Sequence, residues 1–317
     1  MEERVKEIDY LKCIFILLMI VFHLVYIGDK YPYAKQVVYT FHMSAFLILS
    51  GYLANIRKDA RSFLRKFLWI FIPYACMEAA YTVMSHFLPV RDGVAEITPA
   101  VLLDKLFLHP MGPYWYLHTL ILCSLVYYAS FRCTRLSVAS RIMVAGVCLA
   151  GLSYWGGVMN FSNALYYLIG MAVSQSGVRF TQVFRATPLA VVPLVLLCSF
   201  PDNLDRGTLA GVGITWLTIS LLLAVYARVP EGVRRGCRFI GRNTLVILLF
   251  SPIFTMLSKA LLPLFAFDAT GMLFLATATG FTLFGSIGVA WGMDRLHVSR
   301  YLFGKEKVLV REKHTGC

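Results

Sequence analysis

Residues 8–28 read IDYLKCIFILLMIVFHLVYIG and residues 37–53 read VVYTFHMSAFLILSGYL. Taken as helices over 8–28 and 36–55, at about 1.5 Å per residue, they match the ~30 Å hydrocarbon core of a bilayer. The connection between them is short, so they cross in opposite directions. Each carries one histidine in a run that otherwise belongs in lipid. His23 falls ~8 Å from the outer end of its helix and His42 ~9 Å from the outer end of its own. Ionisable groups at that depth are costly, and two at matched depth on adjacent helices point to a functional site. As structural groups, they would instead hydrogen-bond one helix to another.

Working outward, the whole chain has the same character. Its 317 residues are 58% hydrophobic and 15% charged, against about 25% charged in soluble domains. The expected fold is all-α: a polytopic transmembrane bundle of about ten helices. It forms a single membrane-embedded domain over 1–317, with helices over about 8–293 and a basic tail over 294–317. The spans are expected at 8–28, 36–55, 67–88, 114–131, 141–158, 161–176, 186–201, 207–228, 239–262 and 270–293. No small-residue cleavage site follows the first stretch, so it reads as a retained helix.

The net charge of +13 sorts with topology, and no nucleic-acid motif accompanies it. Basic residues crowd alternate connections: Arg57, Lys58, Arg61, Arg65 and Lys66, then Arg132, Arg135 and Arg141, then the run from Arg228 to Arg242 and the C-terminal tail. The opposite side holds only Lys30, Lys35, Arg91, Lys105 and Arg206. Both termini are therefore expected in the cytoplasm, and the chain in the cell (inner) membrane as a multi-pass protein. The tail is expected to sit on anionic lipid. The eight cysteines form no CxxC pair and read as packing residues, with no metal cluster among them.

Several polar residues could carry chemistry. Lys12 and Asp9 mark the cytoplasmic end of the first helix, where they fit a local ion pair or a contact to an anionic ligand. Lys12 lies three turns before His23 on one helix face, ~16 Å away, which suits an elongated ligand threaded along the bundle. His23 fits a general base or nucleophile, with His42 beside it. Glu78, near the middle of the third span, needs a partner or a proton. The basic stretch from Arg57 through Arg61, Arg65 and Lys66 is topogenic charge or a phosphate cradle for a nucleotide-like donor. The long outer connection, about 88–113, contains Asp92, Glu96, Asp104 and His109. It leads into Tyr114, Trp115 and Tyr116, with His118 behind them. That cluster is an interfacial aromatic belt or a stacking wall for a sugar.

These pieces resemble the acyltransferase-3 family of integral membrane acyltransferases. IDYLKCIFILLMIVFH is similar to that family's opening, a basic residue and a His with ten residues between, here Lys12 and His23. Many members have Arg at the first of these positions. FHMSAFLILSGY is similar to the family's FHMPLFFFLSGY, with Ser44 in place of Pro. RKFLWIFIPY, GPYWYL and IGRNTLVILLFSPIF (240–254) complete the likeness; the last resembles IGKNSLYIYLLHPLF, with Ser251 where His is common. The resemblance covers essentially the whole chain.

It implies an O-acetyltransferase-like enzyme with no bound cofactor, which uses acyl-CoA, most simply acetyl-CoA, from the cytoplasm. Lys12, Arg57, Arg61, Arg65 and Lys66 would hold the donor and His23 and His42 would catalyse. Tyr114, Trp115, Tyr116 and His118 would face the acceptor, a cell-envelope carbohydrate or lipid-linked glycan, with Asp9 and Glu78 in support. The competing reading is a transporter or exporter of a polysaccharide or lipid-linked sugar, for which repeat symmetry and matched interrupted helices are expected. A receptor-like bundle without chemistry leaves the paired histidines unexplained.

Overall fold

A computed structural model describes residues 5–87, 93–132 and 135–311. Arg91 and Asp92, and the last residues of the tail, lie outside these. The protein is 78% helix, with no strand among the described residues. In chain order the α-helices are α1 (Lys6–His23), α2 (Val25–Lys30), α3 (Pro32–Tyr52), α4 (Ala60–Phe87), α5 (Pro99–Phe107), α6 (Trp115–Arg132), α7 (Val138–Tyr154) and α8 (Phe161–Gln175). There follow α9 (Phe180–Val183), α10 (Val191–Cys198), α11 (Leu209–Tyr226), α12 (Glu231–Arg242), α13 (Thr244–Leu257), α14 (Met272–Arg295) and α15 (Ser299–Phe303). By length and composition, α4, α11, α14 and the run Thr244–Phe265 are the clear candidates for membrane spans, and α7 and the Pro188–Cys198 segment are shorter apolar helices. The protein is a multi-pass membrane protein.

Three expected spans are redrawn. The first is not continuous: α1 stops at His23, Leu24 is extended (φ −71°, ψ 99°), and α2 starts at Val25. The expected span over 239–262 is cut at Asn243, because α12 is a separate helix whose strongly amphipathic pattern is too polar to cross lipid. The third span begins earlier than its apolar run. Asp59 accepts the Ser62 N–H at 3.0 Å, so the helix starts at Ala60 and takes Arg61, Arg65 and Lys66 into its first turns. That amide, above all, holds the exposed Asp59 carboxyl below its ordinary range. The connection between α4 and α6 also contains an unexpected helix, α5, capped by Thr98, whose Oγ1 accepts the Val101 N–H at 3.2 Å.

The chain divides into two compact units, residues 1–46 with 184–317, and residues 47–183. In the first unit, α1 lies against α11, α12, α13 and α14. Gly241 permits the closest crossing: a Cβ there would fall 1.8 Å from the Asp9 carbonyl oxygen. Arg242 then donates through Nε to the Asp9 carboxylate at 3.0 Å, both side chains nearly buried. The IGRN stretch is thus a clamp on the start of α1. Its asparagine continues the clamp, because Asn243 accepts the Val310 N–H at 2.9 Å and donates to the Val310 carbonyl at 3.1 Å. Asp294 accepts the Val308 and Leu309 amides at 2.8 and 3.2 Å. The tail up to residue 311 is therefore strapped to protein by hydrogen bonds, which the lipid-bound expectation did not include.

In the second unit, α6, α7 and α8 pack with α4 and the end of α3. The glycine of the LSGY run explains itself here. A Cβ on Gly51 would lie 2.2 Å from the Tyr167 carbonyl oxygen, and one on Gly170 would lie 2.0 Å from that of Ile48. Paired glycines let the two backbones touch, and in lipid such packing replaces the hydrophobic effect as the glue between helices. Ser50 and Ser124 add hydroxyl bonds to Tyr116 (2.7 Å) and Tyr167 (2.8 Å).

Candidate functional site

The first unit brings His23 and His42 into one aromatic cluster. The Tyr39 ring lies between them, its centroid 6.2 Å from that of His23 and 5.3 Å from that of His42. Tyr39 precedes His42 by three residues, so the helix itself stacks the two rings on one face. The tyrosine hydroxyl donates to the Phe22 carbonyl at 3.1 Å, which fastens α3 to the last turn of α1. His23 stands at the end of that turn, directly before the break at Leu24.

Both imidazoles are held in the same way. His23 Nδ1 is 2.7 Å from the Met19 carbonyl oxygen, and His42 Nδ1 is 2.7 Å from that of Val38. A carbonyl oxygen only accepts, so each Nδ1 carries the hydrogen. In the neutral ring the lone pair is then on Nε2. His42 is 3% exposed, and its Nε2 has no hydrogen-bond partner among the described residues. His23 is half-buried. The arrangement provides two lone pairs in fixed tautomers, one in the interior and one on a half-buried ring at a break between helices. Such nitrogens accept a proton from a hydroxyl or attack an acyl carbon.

The other predicted residues are distributed as follows. Lys12 is half-buried on α1, and Asp9 is buried against Arg242, a partner 233 positions away that no local pattern predicts. Arg57, Arg61, Arg65 and Lys66 belong to the second unit, and all four are exposed at the start of α4. Arg61 and Arg65 share a helix face at i, i+4. Ser251, at the position where the likeness has His, is buried and bonds back to the Leu248 carbonyl at 3.4 Å.

Glu78, also in the second unit, is fully buried. Its Oε1 accepts the Met111 N–H at 2.7 Å, and its Oε2 has no partner among the described residues. The carboxyl pins the turn that leads into α6. Gly112, next in that turn, has φ +54° and fits beneath the Tyr81 ring. This bears on the expected stacking wall. Tyr114, Tyr116 and His118 are buried, and only Trp115 keeps a half-exposed face. Tyr114 packs edge-on to Tyr81, Tyr116 bonds Ser50, and His118 Nε2 donates to the Phe107 carbonyl at 2.9 Å. Contacts within the second unit engage these rings. In the connection between α4 and α6, Asp104 accepts from His109 Nδ1 at 2.7 Å. That bond, more than the neighbouring Lys105, holds its carboxyl below the ordinary range.

Among the described residues, no three His, Cys, Asp or Glu side chains are grouped so as to hold a metal. Tyr39 was missed in the sequence, although its spacing from His42 signals it. Arg242 carries no such signal.

A family model described as an acyltransferase domain, that of the acyltransferase-3 family, matches residues 5–291. Comparison with curated proteins and with solved structures gave no match.

Proposed function

Because this chain belongs to the acyltransferase-3 family, and is in general terms a membrane acyltransferase, we propose that it moves an acetyl group from cytoplasmic acetyl-CoA to a hydroxyl of a cell-envelope carbohydrate. The observation that carries this reading is the pair of Nε2 lone pairs, each fixed by an Nδ1–H bond to its own helix, with that of His42 left unpartnered in the interior.

In the proposed reaction the acceptor hydroxyl meets the half-buried His23. Its proton passes to Nε2 as its oxygen attacks the thioester carbonyl carbon. The tetrahedral adduct collapses, the carbon–sulfur bond breaks, and the departing thiolate takes the proton back from the imidazole. The thioester supplies the driving force. His42 either relays the proton or carries the acyl group transiently on Nε2. Lys12, three turns before His23 on α1, is the proposed phosphate contact for the donor, in the reading that has the donor enter from the cytoplasm and the protein in the inner membrane.

The test is acyl transfer by purified protein in liposomes, with radiolabelled acetyl-CoA, for wild type and His23→Ala. CoA release and label on acceptor or protein in the wild type, lost in a variant that still folds, would establish a histidine-dependent acyltransferase. Well-folded wild type that neither binds acetyl-CoA nor releases CoA would favour a transporter, for which the helix break at Leu24 would be the natural substrate contact.

A further inference from the structure

Two of the eight cysteines meet where α12 crosses α1 in the first unit. Gly241 of α12 lies so tightly against Asp9 of α1 that a Cβ on it would fall 1.8 Å from the Asp9 carbonyl oxygen and 3.0 Å from the Asp9 Cα. Cys237 precedes Gly241 by one helical turn, and Cys13 follows Asp9 by one. Each cysteine therefore stands on the face of its helix that makes the crossing. There the two side chains hydrogen-bond to each other, and both are free thiols. Disulfides need Cβ atoms about 3.5–4.5 Å apart. A thiol–thiol hydrogen bond one turn from a backbone contact is the geometry from which such a bond closes with little movement.

The two thiols are not equivalent. Cys13 is fully buried, whereas Cys237 is partly exposed on α12, the amphipathic helix that is too polar to cross lipid. Solutes in water reach Cys237 first. The hydrogen bond from Cys13, above all, pulls the Cys237 thiol below its ordinary range, and the Arg238 guanidinium adds to this. Arg238 is itself buried and fixed, with its Nη2 2.6 Å from the Glu231 carboxylate. A partly exposed thiol in a positive environment is the kind that attacks sulfur as a thiolate. A second thiol in contact with it is placed to resolve the product.

We propose that Cys13 and Cys237 form a redox-modification site, in which Cys237 takes up a small soluble disulfide of the glutathione type and Cys13 resolves it. The product is a Cys13–Cys237 disulfide that staples α12 to α1 one turn from the Asp9–Arg242 ion pair. In the first step the Cys237 thiolate attacks one sulfur of the small disulfide. A new sulfur–sulfur bond forms, the old one breaks, and one thiolate leaves. That thiolate takes the proton of Cys13, whose sulfur attacks the Cys237 sulfur. The second thiolate departs and picks up from water the proton that Cys237 gave up. Two protein thiols are oxidised and one small disulfide is reduced to two thiols. None of this rests on the acyl-transfer reading.

The test uses purified protein in liposomes. It is incubated with glutathione disulfide, the remaining thiols are blocked with N-ethylmaleimide, and the peptides are mapped without reduction by mass spectrometry. In wild type the peptide containing Cys13 should be joined to that containing Cys237, and dithiothreitol should separate them. In Cys13→Ala the resolving thiol is gone, so glutathione should accumulate on Cys237. In Cys237→Ala, Cys13 should remain a free thiol. Oxidised wild type should melt higher than reduced wild type, because the bond ties together residues far apart in the chain. Cys237→Ala should lose that shift.

Wild type that stays folded and fully reduced, or that holds glutathione on Cys237 without closing the bond, would overturn the proposal. So would glutathione on Cys13 in Cys237→Ala, or a Cys13–Cys237 bond that forms only in urea. The thermal midpoint of each reduced variant reports its folding. If Cys13→Ala does not fold, Cys13→Ser replaces it, and the product formed by wild type still decides whether the site exists.

Discussion

Two regions of this protein bury polar side chains in apolar helices, and they do so to opposite ends. Glu78 in the second unit is fully buried, uses one oxygen to hold the Met111 amide, and has Tyr74 and Tyr114 as electrostatic neighbours. His23 and His42 in the first unit use one ring nitrogen each for their own helix and leave the other uncommitted, with His23 and Tyr39 reaching the surface. A buried group bonded to backbone across a turn is an anchor. Glu78 Oε2 and His42 Nε2 are both without a partner among the described residues, so the difference lies in what the other atom does: Glu78 joins two elements, whereas each histidine is bonded only within its own helix and holds no other element in place.

The largest expected effect separates the two regions directly. His42→Gln should lower acyl transfer by ~10²–10⁴, the range of a lost acid–base group, with little change in thermal midpoint. Glu78→Leu should do the reverse. It strands the buried Met111 amide and should cost about 1–3 kcal/mol, with the specific activity of the folded fraction preserved. Glu78→Gln keeps an oxygen for that amide and should restore most of the stability. Loss of turnover in a fully folded Glu78→Gln would break the comparison.

Next comes the clamp on α1. Asp9→Ala removes the buried carboxylate to which Arg242 Nε donates and should destabilise by about 3–5 kcal/mol in a denaturant titration. Any effect on the histidines should come through fold alone, so activity per folded molecule is the readout that sharpens the contrast. The smallest effect is expected for Tyr39→Phe. It removes the bond to the Phe22 carbonyl, worth about 0.5–1.5 kcal/mol, and keeps the ring between the imidazoles. Turnover should survive Tyr39→Phe and fall in Tyr39→Ala.

Much of this could be read without coordinates, and the reason is locality. Helices declare themselves through apolar runs, and the two histidines through being ionisable inside such runs. Even the Nδ1 bonds are to carbonyls four residues back. Tyr39 and Lys35, at three and seven residues before His42, share its face by helical geometry alone.

By itself, then, the sequence determined an all-helical membrane protein, the pair of histidines in apolar helices and, through four short stretches, the family. Tertiary structure decided the rest. It cut the first span at Leu24, paired Asp9 with Arg242 across 233 positions, strapped Val308 to Val310 onto Asp294 and Asn243, and buried the rings of Tyr114, Tyr116 and His118. Hydrophobicity says that a residue leaves water, and periodicity says which neighbours share its face. Neither says which other face it will meet, because that depends on glycines such as Gly241 and Gly51 that let distant backbones touch.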